Sequence, residues 1–305
     1  MESSRVLSPD NYCDDGIEAE NGVCKTFGFH KERADLGDAK AMDMVGHYYQ
    51  RGYGVKKDEY KAFEYYQKSA ELGNASGIFH VGYCYENGIG IEKNENEAFS
   101  YYKKSAKMGN VRGTFRIGYC YEYGIGVEKD EFEAFNHYKK SAYMKNSQGT
   151  NEVGCCFEKG IGVKKDENKA LEYYQKSANM GNATGTCSVG HCYQYGIGVE
   201  KNENKAFEYY KKSADMRDPH GKFRVGYCYG NGIGVEKNEH EAFKYYQESA
   251  KMGNAEGTYY IGYCYENGIS VKNNHYKAFY YYQRSVYMGY ENGKIKVDDY
   301  LKNGI

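Results

Sequence analysis

The sequence predicts an all-α solenoid, and three observations carry that prediction. A segment of the type VGYCYENGIG recurs with its first glycine at Gly46, Gly82, Gly118, Gly154, Gly190, Gly226 and Gly262, every step being 36 residues without insertion or deletion. Both halves of the unit space their apolar residues as helices do, not in alternation. The chain has 38 glycines against 2 prolines, so glycine occupies fixed places in the period and does not mark flexible linkers. A strict period of roughly 20–50 residues is the signature of a repeat architecture. One such unit cannot bury its apolar face alone, so neighbours must stack.

The unit 74–109 justifies each element in order. A first helix is expected over Ala75 to Asn87, with Phe79, Val81, Gly82 and Tyr85 on its apolar face. Gly88 should stop it, because glycine takes the left-handed conformation without Cβ strain. A short loop through Gly90 and Ile91 leads to Asn94, the expected N-cap of a second helix; Asp58, Asp130, Asp166, Asn202, Asn238 and Asn274 are its equivalents. Glu97 would close a capping box, as would Glu133 and Glu241. Ala98, Phe99, Tyr102 and Ala106 form the expected buried stripe, and Gly109 ends the helix. Gly82 lies mid-helix, where glycine costs about 1 kcal/mol relative to alanine; its recurrence predicts a helix crossing too close for a Cβ atom. The register extends upstream, where Phe27 matches Phe63, and downstream, where Val297 matches Val81. The expected organisation is an irregular or disordered segment 1–21, a solenoid over 22–290 made of a leading half unit and about seven units, and a polar capping helix over 291–305.

Composition removes several function classes. Lys+Arg is 41 and Asp+Glu is 42, a net charge of −1, whereas nucleic-acid binders carry a basic excess. Mean hydropathy is −0.87, and no apolar run approaches the roughly 20 residues that span a bilayer, so no direct membrane insertion is expected. The N-terminus MESSRVLSPDNYCDDG lacks the basic start and apolar stretch of a secretory signal. There are 37 tyrosines and no tryptophan, so tyrosine carries much of the apolar packing.

Six of the ten cysteines, Cys84, Cys120, Cys156, Cys192, Cys228 and Cys264, share one repeat position. Stacked equivalents should stand about 8–10 Å apart, beyond the roughly 7 Å between Cα atoms that a disulfide tolerates. A column of reduced packing thiols is expected, and with it a cytoplasmic, reducing location. Cys13 and Cys24 fall in the N-terminal segment. Cys187 and His191 are one helical turn apart, and Cys155 precedes His191 by one unit; these three are the candidate soft-metal ligands, without an evident fourth. No cofactor is expected. Ser100-Tyr-Tyr-Lys103 matches S-x-x-K but lacks the companion motifs of the enzymes that use it.

The pattern A-x-G-x-[FY]-x-[VI]-G-x-x-Y-x-x-G-x-G-[VI]-x-x-[DN], followed by [KE]-A-[FL]-x-Y-Y-x-K-S-A-x-x-G, resembles the Sel-one-like repeat (SLR), a relative of the tetratricopeptide repeat. Gly82, Tyr85, Gly88, Gly90, Asn94, Ala98, Tyr101, Tyr102 and Gly109 carry the match in one unit, and the resemblance covers about residues 22–305. It implies a right-handed superhelix whose first helices line a concave face. It also implies a scaffold or adaptor that assembles protein complexes, in signalling, protein quality control or cell-wall synthase regulation. In the cysteine-rich bacterial branch, disulfides staple each repeat; those cysteines would fall at Ala70 and Ile78 here, which weakens the hydrolase activity associated with that branch.

Copies compared within the chain separate fixed from free positions. The places of residues 76, 79, 80 and 87 vary widely, and by analogy with tetratricopeptide units they face the groove. The candidate partner-binding residues are therefore Phe79, Tyr83, Phe115 and Tyr119 flanked by Arg112 and Arg116, and Phe223, Tyr227, Tyr259 and Tyr263 flanked by Arg224. Aromatic and arginine side chains are the usual interface anchors. The competing reading is that these rings fill the inner packing. The expected partner is a protein or peptide; the alternative is a regulatory subunit of a membrane-bound synthase or ligase complex, with a hydrolase third. Self-association through the ends of the array stays open.

Overall fold

The computed structural model describes residues 18–302. Among the described residues there are sixteen helices and no strand: α1 (Glu18–Asp35), α2 (Ala39–Arg51), α3 (Glu59–Glu71), α4 (Ala75–Asn87), α5 (Glu95–Lys107), α6 (Val111–Tyr123), α7 (Glu131–Tyr143), α8 (Ser147–Lys159), α9 (Glu167–Asn179), α10 (Ala183–Tyr195), α11 (Glu203–Asp215), α12 (Pro219–Asn231), α13 (Glu239–Lys251), α14 (Ala255–Asn267), α15 (His275–Tyr287) and α16 (Glu291–Lys302). The chain divides into two compact stretches, one up to Asp130 and one from Glu131. Each is an all-α stack of helix pairs. Most of the segment 1–21, and residues 303–305 beyond α16, lie outside the described residues, as do the side chains of Cys13 and Cys24.

Local chemistry sets most of the helix boundaries. Asn74 caps α4 by accepting from the Ser76 N–H, and Gly88 ends that helix at φ +68°, its N–H donating to the Cys84 carbonyl. Asn94 caps α5 by accepting from the Glu97 N–H at 3.1 Å. The expected capping box stays half-made, because the Asn94 N–H donates to the Tyr85 carbonyl of the preceding helix at 2.9 Å. The Asn238 N–H likewise donates to Tyr229 at 2.8 Å. One donor thus ties the second helix of each pair back to the first. At the other end, Gly109 takes φ +83° just beyond the α5 cap residue Met108.

In the helix pairs within each stretch, the core is a tyrosine laid over a glycine. Tyr66, Tyr102, Tyr174, Tyr210 and Tyr282 are almost fully buried. A Cβ on Gly82 would stand 3.0 Å from the Tyr102 ring and 3.1 Å from the Ala98 carbonyl; on Gly154 it would stand 2.6 Å from the Tyr174 ring. The close crossing expected at this glycine is present. The buried stripe differs by one residue from expectation: Ala106 is half-buried, while Ser105 is fully buried. Ser105 donates to the Ala75 carbonyl at 2.8 Å, as Ser69 does to Ala39 at 2.6 Å and Ser249 to Pro219 at 2.7 Å. These hydroxyls satisfy first-turn carbonyls and occupy the space where a Cβ on Gly77, Gly113 or Gly257 would sit.

Candidate functional site

The variable first-helix positions divide into a buried row and a half-exposed row. Phe79 and Phe223 are 8% and 3% exposed and belong to the core. Phe79 packs with Phe99, Tyr102, Ile117 and Cys120, and Phe223 with Phe243, Tyr246 and Ile261. Their place in the repeat points between helices, where it meets the next unit. Asp43 Oδ1 stands 2.6 Å from His80 Nδ1, Ser188 Oγ donates to Asn151 Oδ1 at 3.3 Å, and the Phe223 and Tyr260 rings are 5.2 Å apart. Each pair joins the place of Phe79 in one unit to the place of His80 in the next. Much of the variation seen in sequence is therefore complementarity within the stack.

Arg116 is also a packing residue. Its guanidinium pairs with Glu86, lies 4.7 Å from the Tyr119 ring centroid and covers the face of Tyr102. Arg112 and Tyr263 are exposed; Tyr83, Phe115, Tyr119, Arg224, Tyr227 and Tyr259 are half-buried. In the first stretch, α2, α4 and α6 enclose a cleft of about 390 Å³ lined by Asp43, His47, Phe79, His80 and Arg112, among others. In the second, Phe223, Tyr227 and Tyr260 form a ring cluster, with Tyr227 and Tyr260 edge-on at 5.9 Å. Tyr259 packs on Tyr282 and Tyr290 at 5.0 and 5.2 Å.

A recurring carboxylate escaped the sequence reading. Glu86 accepts from the Tyr102 hydroxyl and from Arg116. Glu266 accepts from the Tyr282 hydroxyl at 2.7 Å and from Lys296 at 2.8 Å. Glu158 accepts from Tyr174 at 2.6 Å, with His191 Nδ1 3.8 Å away. Gln50 and Gln194 take the same hydroxyl bond from Tyr66 and Tyr210, at 2.8 and 2.6 Å. The signal was the run of Glu or Gln at this place in the repeat, broken only by Gly230.

The described cysteines are all free. Burial pushes the thiols of Cys84, Cys120, Cys155, Cys187, Cys192, Cys228 and Cys264 up to about 12. The three residues weighed as metal ligands do not converge: Cys155 meets the Tyr174 hydroxyl at 3.3 Å, Cys187 packs with Ala206, Tyr210 and Val225, and His191 faces Glu158. Among the described residues no group of His, Cys, Asp or Glu is arranged to hold a metal ion, and no helix is long and apolar enough to cross a membrane.

Seven consecutive stretches, 39–74, 75–110, 111–146, 147–182, 185–218, 219–254 and 255–290, match the Sel1 repeat. The chain belongs to the Sel1 repeat family. The "protective antigen present in uropathogenic Escherichia coli strains displaying an SLR fold" is 29% identical over 92% of this chain, with a TM-score of 0.62. This chain spans 60% of the length of that protein. A Sel1 repeat protein from Oxalobacter formigenes is 28% identical, with a TM-score of 0.68, over 75% of this chain and 94% of that one. Yeast Tom70, at 10% identity and a TM-score of 0.54 over 94% of this chain and 59% of its own, shares the fold alone. No curated protein matches the sequence. Sel1 repeats generally mediate protein–protein interactions.

Proposed function

We propose that this Sel1 array is a non-catalytic scaffold or adaptor that binds a protein or peptide along the face formed by its first helices, in a reducing, cytoplasmic setting. The observation that carries the reading is the cleft of about 390 Å³ between α2, α4 and α6, whose rim holds Arg112, exposed and unpaired among the described residues, above the Asp43–His80 pair. Half-exposed Tyr83 and Tyr119, on α4 and α6, extend that face. Rings and guanidinium groups of this kind supply most of the energy of protein interfaces. The thiols support the non-catalytic part: held neutral by burial, they are poor nucleophiles.

The test compares the wild-type chain with Tyr83→Ser/Arg112→Ser/Tyr119→Ser in quantitative capture of partners from the native cell. A second variant reverses the charge of Lys103 and Lys139, which lie beside Phe99 and Phe135 on second helices. The first-helix variant should lose the captured partner and keep its helical signal, while the charge-reversal variant should alter only the salt dependence. Loss of capture in the Lys103/Lys139 variant, with the first-helix variant binding normally, would overturn the assignment.

A further inference from the structure

We infer that the face where α10 meets α12 binds a carboxylate of an acidic peptide, with Arg224 as the cation that receives it. This deepens the scaffold reading and rests on it. The argument is an internal comparison among equivalent places in one chain. Where α4 meets α6, Glu86 joins the Tyr102 hydroxyl to Arg116, and where α14 meets α16, Glu266 joins the Tyr282 hydroxyl to Lys296. Each time, a cation thirty residues beyond the carboxylate neutralises it. Where α10 meets α12, the cation is present and the carboxylate is not. Gln194 stands in place of Glu86 and takes the Tyr210 hydroxyl at 2.6 Å, and Arg224 stands in place of Arg116.

Arg224 makes no ion pair and no hydrogen bond among the described residues, although it is half-buried. Its guanidinium lies 5.5 Å from the Phe223 ring centroid. Glu256, whose field reaches Arg224, is already engaged: His220 Nδ1 stands 3.5 Å from its Oε2, and that contact lowers the Glu256 pKa and raises that of His220. His191, on the facing helix, is driven toward its neutral form by burial, and its ring lies tilted at 4.6 Å from that of Tyr195. This place therefore offers one partly desolvated cation without an acidic partner, set beside the Phe223 ring. A half-buried charge without a partner is costly, and a planar guanidinium fits a carboxylate with two parallel hydrogen bonds. One cation beside a neutral imidazole suits a single-charged carboxylate better than a doubly charged phosphate. The carboxylate can be an Asp or Glu side chain or a chain terminus.

The experiment selects peptides from a random displayed 12-residue library on the full-length wild-type chain. The best binder is then synthesised with its acidic residue, with Gln in its place, and with free or amidated C-terminus. Affinities are measured for wild type, Arg224→Gln and Gln194→Glu. The Gln194→Glu variant rebuilds the Glu86–Arg116 arrangement, so it should fold at least as stably as wild type and yet lose the ligand. Neutralising the peptide's carboxylate, replacing Arg224 or making the Gln194→Glu change should each weaken binding about thirtyfold or more. The amidated and side-chain forms tell which carboxylate is used. Selected peptides without an acid requirement, no selected peptide at all, or undiminished binding to Gln194→Glu would overturn the proposal. Binding lost in the Tyr83/Arg112/Tyr119 variant but kept in Arg224→Gln overturns this site and leaves the first-helix reading standing; binding kept in all variants overturns both.

Discussion

Asp43 Oδ1 and His80 Nδ1 lie 2.6 Å apart, joining two helices across thirty-seven residues of sequence. The imidazole also stacks on the buried Tyr66 ring at 4.7 Å, so it is held from two sides. Asn151 and Ser188 make the equivalent contact between neutral groups, and Phe223 and Tyr260 make it between rings. The place is one of matched partners: carboxylate meets imidazole, amide meets hydroxyl, ring meets ring. His80→Ala should cost about 1–3 kcal/mol, because it leaves the buried Asp43 carboxylate without its partner. Asp43→Asn with His80→Ser, which copies Asn151 and Ser188, should be less destabilised than His80→Ser alone. Urea unfolding of wild type, Asp43→Asn, His80→Ser and the double variant measures the coupling, and strict additivity would refute the pairing.

The glycine under each tyrosine gives a second prediction, in which propensity and packing oppose each other. Alanine at Gly154 gains about 1 kcal/mol of helix propensity. Its Cβ would stand 2.6 Å from the Tyr174 ring and 3.2 Å from the Ala170 carbonyl, and the ring has no free space. Overpacking of this kind costs about 1–3 kcal/mol, so the net effect should be destabilising. Gly28, in α1, is the control: nothing lies within 4 Å of its added Cβ. Gly28→Ala should therefore stabilise by up to about 1 kcal/mol. Thermal melts of the two variants should move in opposite directions.

Helix boundaries were legible where they depend on single residues with one physical role each: Asn94 as a cap, Gly88 at positive φ. The tyrosine–glycine crossing was legible because Gly82 recurs where a helix should not want glycine. The candidate site was less so. Phe79 varies among copies, and variation alone does not tell a ligand-facing side chain from one matched to a neighbouring unit; only the contact of Asp43 with His80 separates the two. Ser105 and Glu86 went unread for the opposite reason. A polar residue in a helix reads as solvent-facing until its buried partner, the Ala75 carbonyl or the Tyr102 hydroxyl, is in view.

The thiols predict how stability responds to alkali. Burial raises the native pKa of Cys84, Cys120, Cys192, Cys228 and Cys264 from 9.0 to about 12. It also raises the buried tyrosines Tyr66, Tyr102 and Tyr210. Between pH 9 and 12 the native state therefore holds more protons than the unfolded chain, and stability must fall as pH rises through that range. The contribution is fully present below pH 9. Urea midpoints should decline steeply from about pH 9 to about 12. Iodoacetamide at about pH 8 should label these cysteines only in denaturant, as intact-mass spectrometry would read; rapid labelling of the native chain would contradict their burial.

Glu86 supports a last prediction, since its two bonds are separable. One comes from the Tyr102 hydroxyl and one from Arg116. Glutamine can keep the first, as Gln50 does with Tyr66 and Gln194 does with Tyr210. It cannot keep the second, so Glu86→Gln removes the charge pairing of a half-buried guanidinium while the tyrosine stays satisfied. Glu86→Ala removes both partners and opens space beside a ring with no solvent exposure. Breaking a buried pair from one side costs about 3–5 kcal/mol; with Glu86 and Arg116 only partly buried, the Ala variant should fall at or below the low end and the Gln variant should cost about half as much. Arg116→Met combined with Glu86→Gln should recover much of the loss, because no unpaired charge then remains. Urea unfolding at low and high salt checks the order. If Glu86→Gln proves as damaging as Glu86→Ala, the hydroxyl bond contributes little and the ion pair alone holds these helices together.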